Sequence, residues 1–284
     1  MSDTTLRDKL ATGEFFVVPG VQDMITAVVA KKVGFDVLYG SGYWLTASAY
    51  GLPDAGLVSY NQMLDRMQTI RTTTGLPLIA DADTGFGGLL NVDHTVRGYE
   101  GAGISAIQIE DQEFPKKCGH TPGRRVVPIE DMVEKVKVAV EARDEMLVIA
   151  RTDARQAEGL DGTLRRLEAY AKAGADILFP EALESEEEMR KVCETFEQPV
   201  LVNMANGGST PPMKGDVLGE IGFAFAIYPS LTSLVAAQAA ETALTRLRDD
   251  LDGEPADVPL FNFKEFCGLI GFEHVWEFDR KWAR

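Results

Sequence analysis

Short apolar segments recur along the chain and are separated by longer stretches of mixed polarity. Each segment is rich in Val, Ile, Leu and Phe without polar alternation, which is typical of strands buried on both faces of a parallel sheet. The pattern therefore predicts eight parallel strands. They are expected at Phe15–Val18, Val37–Tyr39, Leu76–Ala80, Ala106–Ile109, Leu147–Ala150, Ile177–Phe179, Val200–Val202 and Phe223–Ile227.

The stretches between these strands have the apolar spacing of amphipathic helices. Several end at a glycine, where a left-handed helix C-cap is expected. Strands and helices that alternate in this number predict an α/β fold of the (β/α)8 TIM barrel type. Helices are expected at Val58–Thr73, Asn91–Ala102, Pro128–Arg143, Gly162–Ala173 and Ser185–Phe196, with closing glycines at Gly34, Gly103, Gly174 and Gly222.

The C-terminal part of the chain exceeds what eight strand–helix units need. It contains a polar break and then an aromatic-rich helical segment from Phe261 to Trp282. We therefore predict a single barrel domain over residues 1–284, in which residues 235–284 form a C-terminal helical extension. An appended apolar helix is a candidate contact between subunits.

Composition narrows the class of protein. Hydrophobic residues make up 45% and charged residues 25%, as in soluble globular domains, and the net charge of −16 disfavours nucleic acid and anionic membranes as partners. Three cysteines without a CxxC pair favour a reducing compartment, and neither a signal peptide nor a membrane span is expected. We therefore expect a cytoplasmic protein, in which an anionic substrate needs local positive charge or a divalent cation.

Polar residues gather where the predicted strands end, and such barrels carry their chemistry at that face. Asp81 and Asp83 alternate at the end of the third strand, so they would share one face of a regular strand, and Glu110 ends the fourth strand. Carboxylate oxygens suit Mg²⁺ or Mn²⁺, so these residues predict a metal site, although strand-end aspartates also cap helices. Asp54 is either an outer partner of the metal or a helix cap.

Residues 116–120 read Lys-Lys-Cys-Gly-His and follow Glu110 closely. Neighbouring cations hold the pKa of a thiol below its free value of about 8.5. Cys118, flanked by Lys116, Lys117 and His120, is therefore predicted to carry a proton to or from carbon near neutral pH.

Other strand ends predict a substrate pocket. Arg151 ends a buried strand, where an unpaired guanidinium is costly, so it must meet a carboxylate of either the protein or a substrate. Glu181 is the candidate protein partner of Arg151. Asn203 follows the seventh strand. Ser41 and Gly42 can offer backbone N–H donors to a substrate carboxylate.

These motifs together resemble the isocitrate lyase and phosphoenolpyruvate mutase superfamily. The loop at residues 116–120 further resembles the carbon–carbon lyase branch, that of methylisocitrate lyase and 2,3-dimethylmalate lyase. Mutase and phosphonopyruvate hydrolase relatives have a cysteine-free loop there. The matching segments, in order, are Tyr39–Gly42, Gly51–Asp54, Asp81–Gly87, Ile109–Gln112, Lys116–His120, Ala150–Asp153, Phe179–Glu181, Asn203 and Thr210–Pro211.

The resemblance implies a Mg²⁺-dependent retro-aldol cleavage of a 2-hydroxy dicarboxylate, with Mn²⁺ as the alternative ion. It implies that Cys118 protonates the departing carbon beneath a closing loop, and that Tyr39 or a metal-bound water takes the hydroxyl proton. It also implies a homotetramer with exchanged C-terminal helices. The implied roles are catalysis for Cys118, Lys116, His120 and Tyr39; substrate binding for Ser41, Gly42, Tyr43, Gly119, Arg151, Glu181 and Asn203; and metal binding for Asp81 and Asp83 directly and Glu110 and Asp54 through water.

Departures from the branch narrow the substrate. Methylisocitrate lyases carry two arginines for an extra carboxylate, and those positions hold Leu234 and Phe263 here. Their Thr and Glu after the seventh-strand asparagine are replaced by Ala205 and Asn206. The sequence therefore favours a smaller alkylmalate such as 2,3-dimethylmalate, cleaved to a 2-oxo acid such as pyruvate and a carboxylate.

Three other functions stay open at this point. Two are enzymes of the same branch, 2-methylisocitrate lyase and oxaloacetate acetylhydrolase, and both keep the cysteine-bearing loop. The third is a non-catalytic binding barrel, which we expect to have lost a metal carboxylate or the loop thiol. Tyr43 and Trp44 replace smaller residues of many relatives and would narrow the pocket.

Overall fold

A computed structural model describes residues 4–121, 123–255 and 257–283 of the chain. Within these residues, eight short strands form one parallel sheet, at the positions that the apolar segments predict. The strands are β1 (Phe16–Val21), β2 (Leu38–Gly40), β3 (Leu78–Asp81), β4 (Ala106–Glu110), β5 (Leu147–Thr152), β6 (Ile177–Pro180), β7 (Leu201–Asn203) and β8 (Phe225–Tyr228).

The sheet curls into a nearly closed barrel. Its strand order is β6-β5-β4-β3-β2-β1-β8-β7, and an isolated parallel bridge between Leu178 and Val200 connects the two ends. The register aligns Glu110 of β4 with Arg151 of β5, so these two charged residues end at the same rim. The predicted (β/α)8 barrel is confirmed.

Helices cover the outside of the barrel and extend beyond it. Gly34 and Gly222 follow their helices in the left-handed conformation and cap them with backbone N–H groups, as predicted. The helices are α1 (Thr4–Thr12), α2 (Met24–Val33), α3 (Gly42–Tyr50), α4 (Tyr60–Thr74), α5 (Leu89–Gly101), α6 (Ile129–Ala142), α7 (Arg155–Lys172), α8 (Glu186–Thr195), α9 (Gly215–Ile221), α10 (Leu231–Asp250), α11 (Phe263–Leu269) and α12 (Phe272–Trp282).

The core has two layers because successive strand residues point to opposite faces. In β2 and β3, Tyr39 and Ile79 point into the barrel, while Leu38 and Ala80 pack against the surrounding helices. Burial of one such large aliphatic side chain contributes about 1.5–3 kcal/mol. The two layers together hold the strand ends, and therefore the polar rim, at fixed spacing.

The C-terminal helices differ from the others in how little they bury. Helix α10 packs on β1, and its Thr232 Oγ1 donates to Gly20 O at 3.0 Å. Residue 235, where we placed the start of the extension, lies inside α10, and the one-domain division stays a prediction. No residue of α12 is buried. Within the described part of the chain, no helix is long and apolar enough to cross a membrane.

Candidate active site

A cavity of about 260 Å³ opens at the carboxyl ends of the strands. Most of the residues that the sequence assigns to catalysis and substrate binding line it, together with further apolar and polar residues. The predicted lining residues are Tyr39, Ser41, Tyr43, Asp54, Asp81, Cys118, Gly119, His120, Arg151, Glu181 and Asn203, and the others are Trp44, Ala205, Asn206, Gly207, Gly208, Pro229, Ser230 and Leu234.

The two aspartates of the third strand come together through a turn. Strand β3 ends at Asp81, and Asp83 has a left-handed backbone with φ 48°. Our prediction that both lie on one face of a regular strand is therefore wrong. Instead Asp81 Oδ1 accepts the N–H of Asp83 at 3.0 Å, and its Oδ2 accepts the N–H of Gly42 at 3.1 Å. Gly42 thus orients a protein carboxylate rather than offering its N–H to the cavity.

Lys116 reaches into this acidic group. Its Nζ lies 2.5 Å from Asp54 Oδ1 and 2.9 Å from Asp83 Oδ1, and its side chain is buried. Burial opposes the positive charge, but the surrounding carboxylates outweigh it and raise the pKa of Lys116 well above its ordinary value. Burial also raises the pKa of Asp83 to about 6, although Lys116 opposes this change. Lys116 is thus a counter-charge of the acidic rim.

Glu110 is the least satisfied carboxylate at the rim. It is fully buried, neither oxygen accepts a hydrogen bond from the described residues, and burial raises its pKa well above the ordinary range. Arg151 NH1, 3.4 Å from Oε2, opposes that change. Among the described residues, no three Asp, Glu, His or Cys side chains are arranged to hold one ion. The donor chemistry nevertheless fits a hard divalent cation, since such ions take oxygen ligands and would offset the cost of a buried carboxylate without hydrogen-bond donors.

Cys118 has different surroundings from those its sequence neighbours suggest. Burial raises the pKa of the thiol above 9.0, while a backbone hydrogen bond from His120 opposes this change. Lys116 turns toward the carboxylates, and Lys117 Nζ donates to Gly123 O at 3.1 Å. Our prediction of a lowered pKa is therefore wrong, because residues next to Cys118 in sequence direct their charges elsewhere. A thiol that stays protonated near neutral pH suits a proton donor.

Arg151 meets carboxylates of the protein. Its Nε and NH2 donate to the two oxygens of Asp153, both at 2.9 Å, and NH2 also lies 3.3 Å from Glu181 Oε2. The guanidinium lies over the ring of Phe179, 5.1 Å from its centroid. The sequence left open whether Arg151 meets a carboxylate of the protein or one of a substrate, and the structure shows carboxylates of the protein. Arg151 also lines the cavity, so it remains beside the space for a substrate.

His120 connects the cysteine-bearing loop to the end of β7. Its Nε2 lies 3.3 Å from Asn203 Nδ2, and its Nδ1 accepts the N–H of Ser209 at 3.4 Å. Asn203 Nδ2 also donates to Glu181 Oε2 at 3.0 Å. These contacts close one side of the cavity with polar groups.

Tyr39 is a hydrogen-bond donor here. Its hydroxyl donates to Gln108 Oε1 at 3.0 Å, and burial, followed by the nearby charge of Asp81, raises its pKa well above 10. A phenol that stays protonated cannot take a proton, which argues against Tyr39 as the base.

Asp111, which the sequence analysis left unassigned, supports the rim from below. This buried carboxylate accepts hydrogen bonds from Thr152 Oγ1 at 2.6 Å, Tyr170 OH at 2.7 Å, the N–H of Asp153 at 2.9 Å and Arg166 NH1 at 3.2 Å. It thereby fixes the backbone of Asp153, which in turn holds Arg151. The sequence did contain a signal for this role. Asp111 lies in the motif segment Ile109–Gln112 at the end of a buried strand, and a buried charge is kept only where it has partners.

The family model described as phosphoenolpyruvate phosphomutase matches residues 6–248. Among curated proteins, 2,3-dimethylmalate lyase of Eubacterium barkeri is 43% identical over 280 residues, which cover 98% of this chain and 97% of the relative. A 2-methylisocitrate lyase of Halalkalibacterium halodurans is 41% identical over 267 residues, which cover 94% and 89% of the two chains.

Solved structures extend this likeness to three dimensions. Oxaloacetate acetylhydrolase in complex with 3,3-difluorooxalacetate superposes with a TM-score of 0.93 at 32% identity, covering 98% of this chain and 96% of the other. Phosphonopyruvate hydrolase in complex with oxalate and Mg²⁺ superposes with a TM-score of 0.89 at 30% identity over the whole of both chains. A relative of the same fold therefore binds a divalent metal together with a small dicarboxylate.

Proposed function

Because the chain belongs to the phosphoenolpyruvate phosphomutase family, as its motifs indicate, we propose that it cleaves 2,3-dimethylmalate or a related alkylmalate. The curated relatives confirm the predicted carbon–carbon lyase class. In the proposed reaction the C2 hydroxyl loses its proton and the C2–C3 bond breaks. C2 becomes the carbonyl carbon of pyruvate, and C3 takes one proton to give propionate.

The shape and charge of the cavity carry this choice of substrate. The carboxylates and the Cys118 thiol share the cavity lining with the apolar side chains of Trp44, Pro229 and Leu234. Among its described lining residues, Arg151 is the only lysine or arginine. A third carboxylate would therefore meet no second lysine or arginine among these lining residues, whereas a methyl group would be buried favourably beside the apolar ones.

Each end of the substrate has a candidate partner. Arg151 can share its guanidinium between Asp153 and a substrate carboxylate, because it stays beside the cavity while already held by the protein. Cys118, protonated near neutral pH, can deliver the proton to C3. His120 and Asn203 close the cavity and help to exclude water from the departing carbanion.

We propose Mg²⁺ as the cofactor, with Mn²⁺ as its alternative, held by Asp81 and Asp83 and, through water, by Glu110 and Asp54. The donor-free oxygens of Glu110 and the buried position of Asp81 support this assignment. When bound, a divalent ion polarises an oxygen of the substrate and stabilises negative charge on it.

A substrate screen tests the proposal. The protein with Mg²⁺ is given 2,3-dimethylmalate, 2-methylisocitrate or oxaloacetate, and 2-oxo acid release is followed by a lactate dehydrogenase coupling, with oxalate measured separately. We expect the highest kcat/KM for the alkylmalate. Preference for 2-methylisocitrate would show that the apolar lining residues do not exclude a third carboxylate. No turnover of any substrate would favour a binding barrel.

Oxaloacetate acetylhydrolase activity is the second candidate. It is favoured by the close superposition with that enzyme and by the small cavity, which suits a dicarboxylate. Release of oxalate and acetate from oxaloacetate, without cleavage of alkylmalates, would select it.

We also propose a cytoplasmic homotetramer that exchanges its C-terminal helices. The exposed aromatic side chains of α12, among them Phe278 and Trp282, support this assembly because a large apolar face in water favours association.

A further inference from the structure

The loop that carries Cys118 begins on a paired stem. Gln112, two residues beyond the end of β4, forms an antiparallel bridge with Val126 on the returning arm. The N–H of Val127 donates to Asp111 O at 2.8 Å, and Asp111 is itself fixed by its buried hydrogen bonds. The backbone of Gln112 is therefore part of the rigid barrel rim rather than of the loop.

The side chain of Gln112 reaches from this stem to the loop. Its Nε2 donates to Lys117 O at 2.8 Å, and its Oε1 accepts the N–H of Lys117 at 3.0 Å. The amide thus pairs with both backbone groups of one residue, as a neighbouring strand would, and only 1% of Gln112 is exposed. Lys117 directly precedes Cys118, so this contact holds the peptide that leads into the thiol residue.

Beyond the thiol, a turn holds the other side. The carbonyl of Cys118 accepts the N–H of Thr121 at 3.0 Å and its hydroxyl at 2.8 Å. Cys118 therefore lies between an anchored residue and a hydrogen-bonded turn. Without the Gln112 amide, the backbone of Lys117 loses both of these hydrogen bonds to the rim, although the neighbouring Lys116 side chain still pairs with Asp54 and Asp83.

We propose that Gln112 is a positioning residue that sets the place of the Cys118 sulfur at the cavity. The inference rests on the proposed function, in which that thiol gives a proton to carbon. Gln112 is not among the described residues that line the cavity, and its side-chain amide bonds to the loop at Lys117. A displacement of about 1 Å at a reacting group can cost about 100-fold in rate. An amide that holds the residue before Cys118 can therefore control turnover without touching the substrate.

The chemistry of the contact requires glutamine. A primary amide offers one donor and one acceptor side by side, which match the C=O and N–H of Lys117. Methionine has a similar length but offers neither, and it leaves both backbone groups without partners. Glutamate keeps an acceptor for the N–H but places a second acceptor against the C=O.

The test uses Gln112→Met, with Arg125→Ala as the matched control. Arg125 lies on the returning arm of the same stem, and its side chain is exposed and pairs with Glu113. For Gln112→Met we expect kcat to fall about 10- to 100-fold while KM changes by less than about threefold, since proton delivery is lost and substrate contacts remain. The control should keep the kcat of the unchanged protein.

A second measurement does not depend on turnover. Iodoacetamide labelling is followed for each cysteine peptide by mass spectrometry in substrate-free protein, with Cys193 as the internal reference. We expect Cys118 to react several-fold faster in Gln112→Met than in the control, because a released loop exposes the half-buried thiol. Where Gln112→Met does not fold, Gln112→Glu replaces it, and the same two changes are expected.

The outcomes separate this inference from the proposed function. Unchanged labelling of Cys118, or a rise in KM at constant kcat, would overturn the positioning role. A third outcome is faster labelling of Cys118 in Gln112→Met while the unchanged protein cleaves none of the tested acids. That result would support the role of Gln112 in holding the loop and would reject the proposed reaction.

Discussion

Cys118 stays a thiol near neutral pH because burial raises its pKa, an effect that the backbone hydrogen bond from His120 and the charge of Arg151 oppose only in part. We predict that Cys118→Ser lowers kcat by about 100- to 10,000-fold, the usual contribution of a general acid, with little change in substrate binding. Release of 2-oxo acid measures the effect. Cys193→Ser is the matched control, since that cysteine lies outside the cavity and pairs with no site residue. Undiminished turnover in Cys118→Ser would remove the thiol from the mechanism.

The same thiol sets a pH dependence. A general acid works only while protonated, and burial raises the pKa of Cys118 above 9.0. The contribution of Cys118 to kcat should therefore be constant through neutral pH and fall only as the pH rises past that raised value. A pH profile of kcat between pH 6 and 10 checks this, within the range where the fold stays intact. Loss of rate on the acidic side that disappears in Cys118→Ser would contradict it.

The acidic rim predicts a response to metal. We expect EDTA to abolish turnover and Mg²⁺ to restore it, and we expect Mg²⁺ to raise the Tm because an ion that binds only the folded state stabilises it by mass action. Asp81→Asn should lose most of the Tm increase, whereas Asp93→Asn, which alters a partly exposed carboxylate paired with Arg97 on α5, should keep it. Equal Tm increases in both variants would place the ion elsewhere.

The sequence predicted which residues lie at the site better than it predicted their side-chain partners and pKa shifts. Asp81, Glu110 and Arg151 lie at the ends of their strands, where the sequence places them, while their roles stay predictions. The roles of Lys116 and Cys118 depend on the path of a loop, and that path is set by long-range pairs such as Gln112 with Val126. Charges adjacent in sequence then point to different partners, so the pKa of the thiol could not be inferred from its neighbours.

At the scale of elements, strands and glycine-capped helices were predictable from apolar runs and local backbone needs. Helix α3 was missed, because its start at Gly42 reads as a glycine-rich turn and its apolar residues are not confined to one face. The predicted helix Gly162–Ala173 begins earlier, as α7 from Arg155, with an irregular residue at Gly159. These differences arise where tertiary packing overrides local preference.

The returning arm of the cysteine-bearing loop has its own anchor. Arg124 NH1 lies 3.5 Å from Asp153 Oδ1, and its NH2 donates to Gln156 Oε1 at 3.0 Å. We predict that Arg124→Met destabilises the docked loop by about 1–3 kcal/mol, because a buried guanidinium contact is lost while Arg151 still pairs with Asp153. Hydrogen–deuterium exchange over residues 113–127 should become faster.

Arg125→Ala is again the control, since an exposed pair contributes only about 0.2–1 kcal/mol. Equal exchange rates in the two variants would show that Arg124 does not anchor the loop.

At the scale of the whole molecule, the C-terminal helices predict association. Phe278→Asp should shift the protein toward smaller species in light scattering, because it places a charge on the exposed aromatic face of α12. Glu277→Gln, on the same helix, should leave the mass unchanged. A monomeric mass for the unchanged protein would reject the tetramer and the exchange of helices with it.

The strands of the barrel are not equally well paired around its circumference. Strands β4 and β5 are joined over their whole length, whereas β6 and β7 meet at one bridge. Glu181 and Asn203 lie at the carboxyl ends of β6 and β7, the weakly paired strands. Glu110 and Arg151 lie on β4 and β5, the fully paired strands. We expect the spacing of Glu110 and Arg151 to stay constant while the side of the cavity that carries Glu181 and Asn203 moves more. An enzyme built this way would hold the reacting carbons in place and still accept alkyl branches of more than one size.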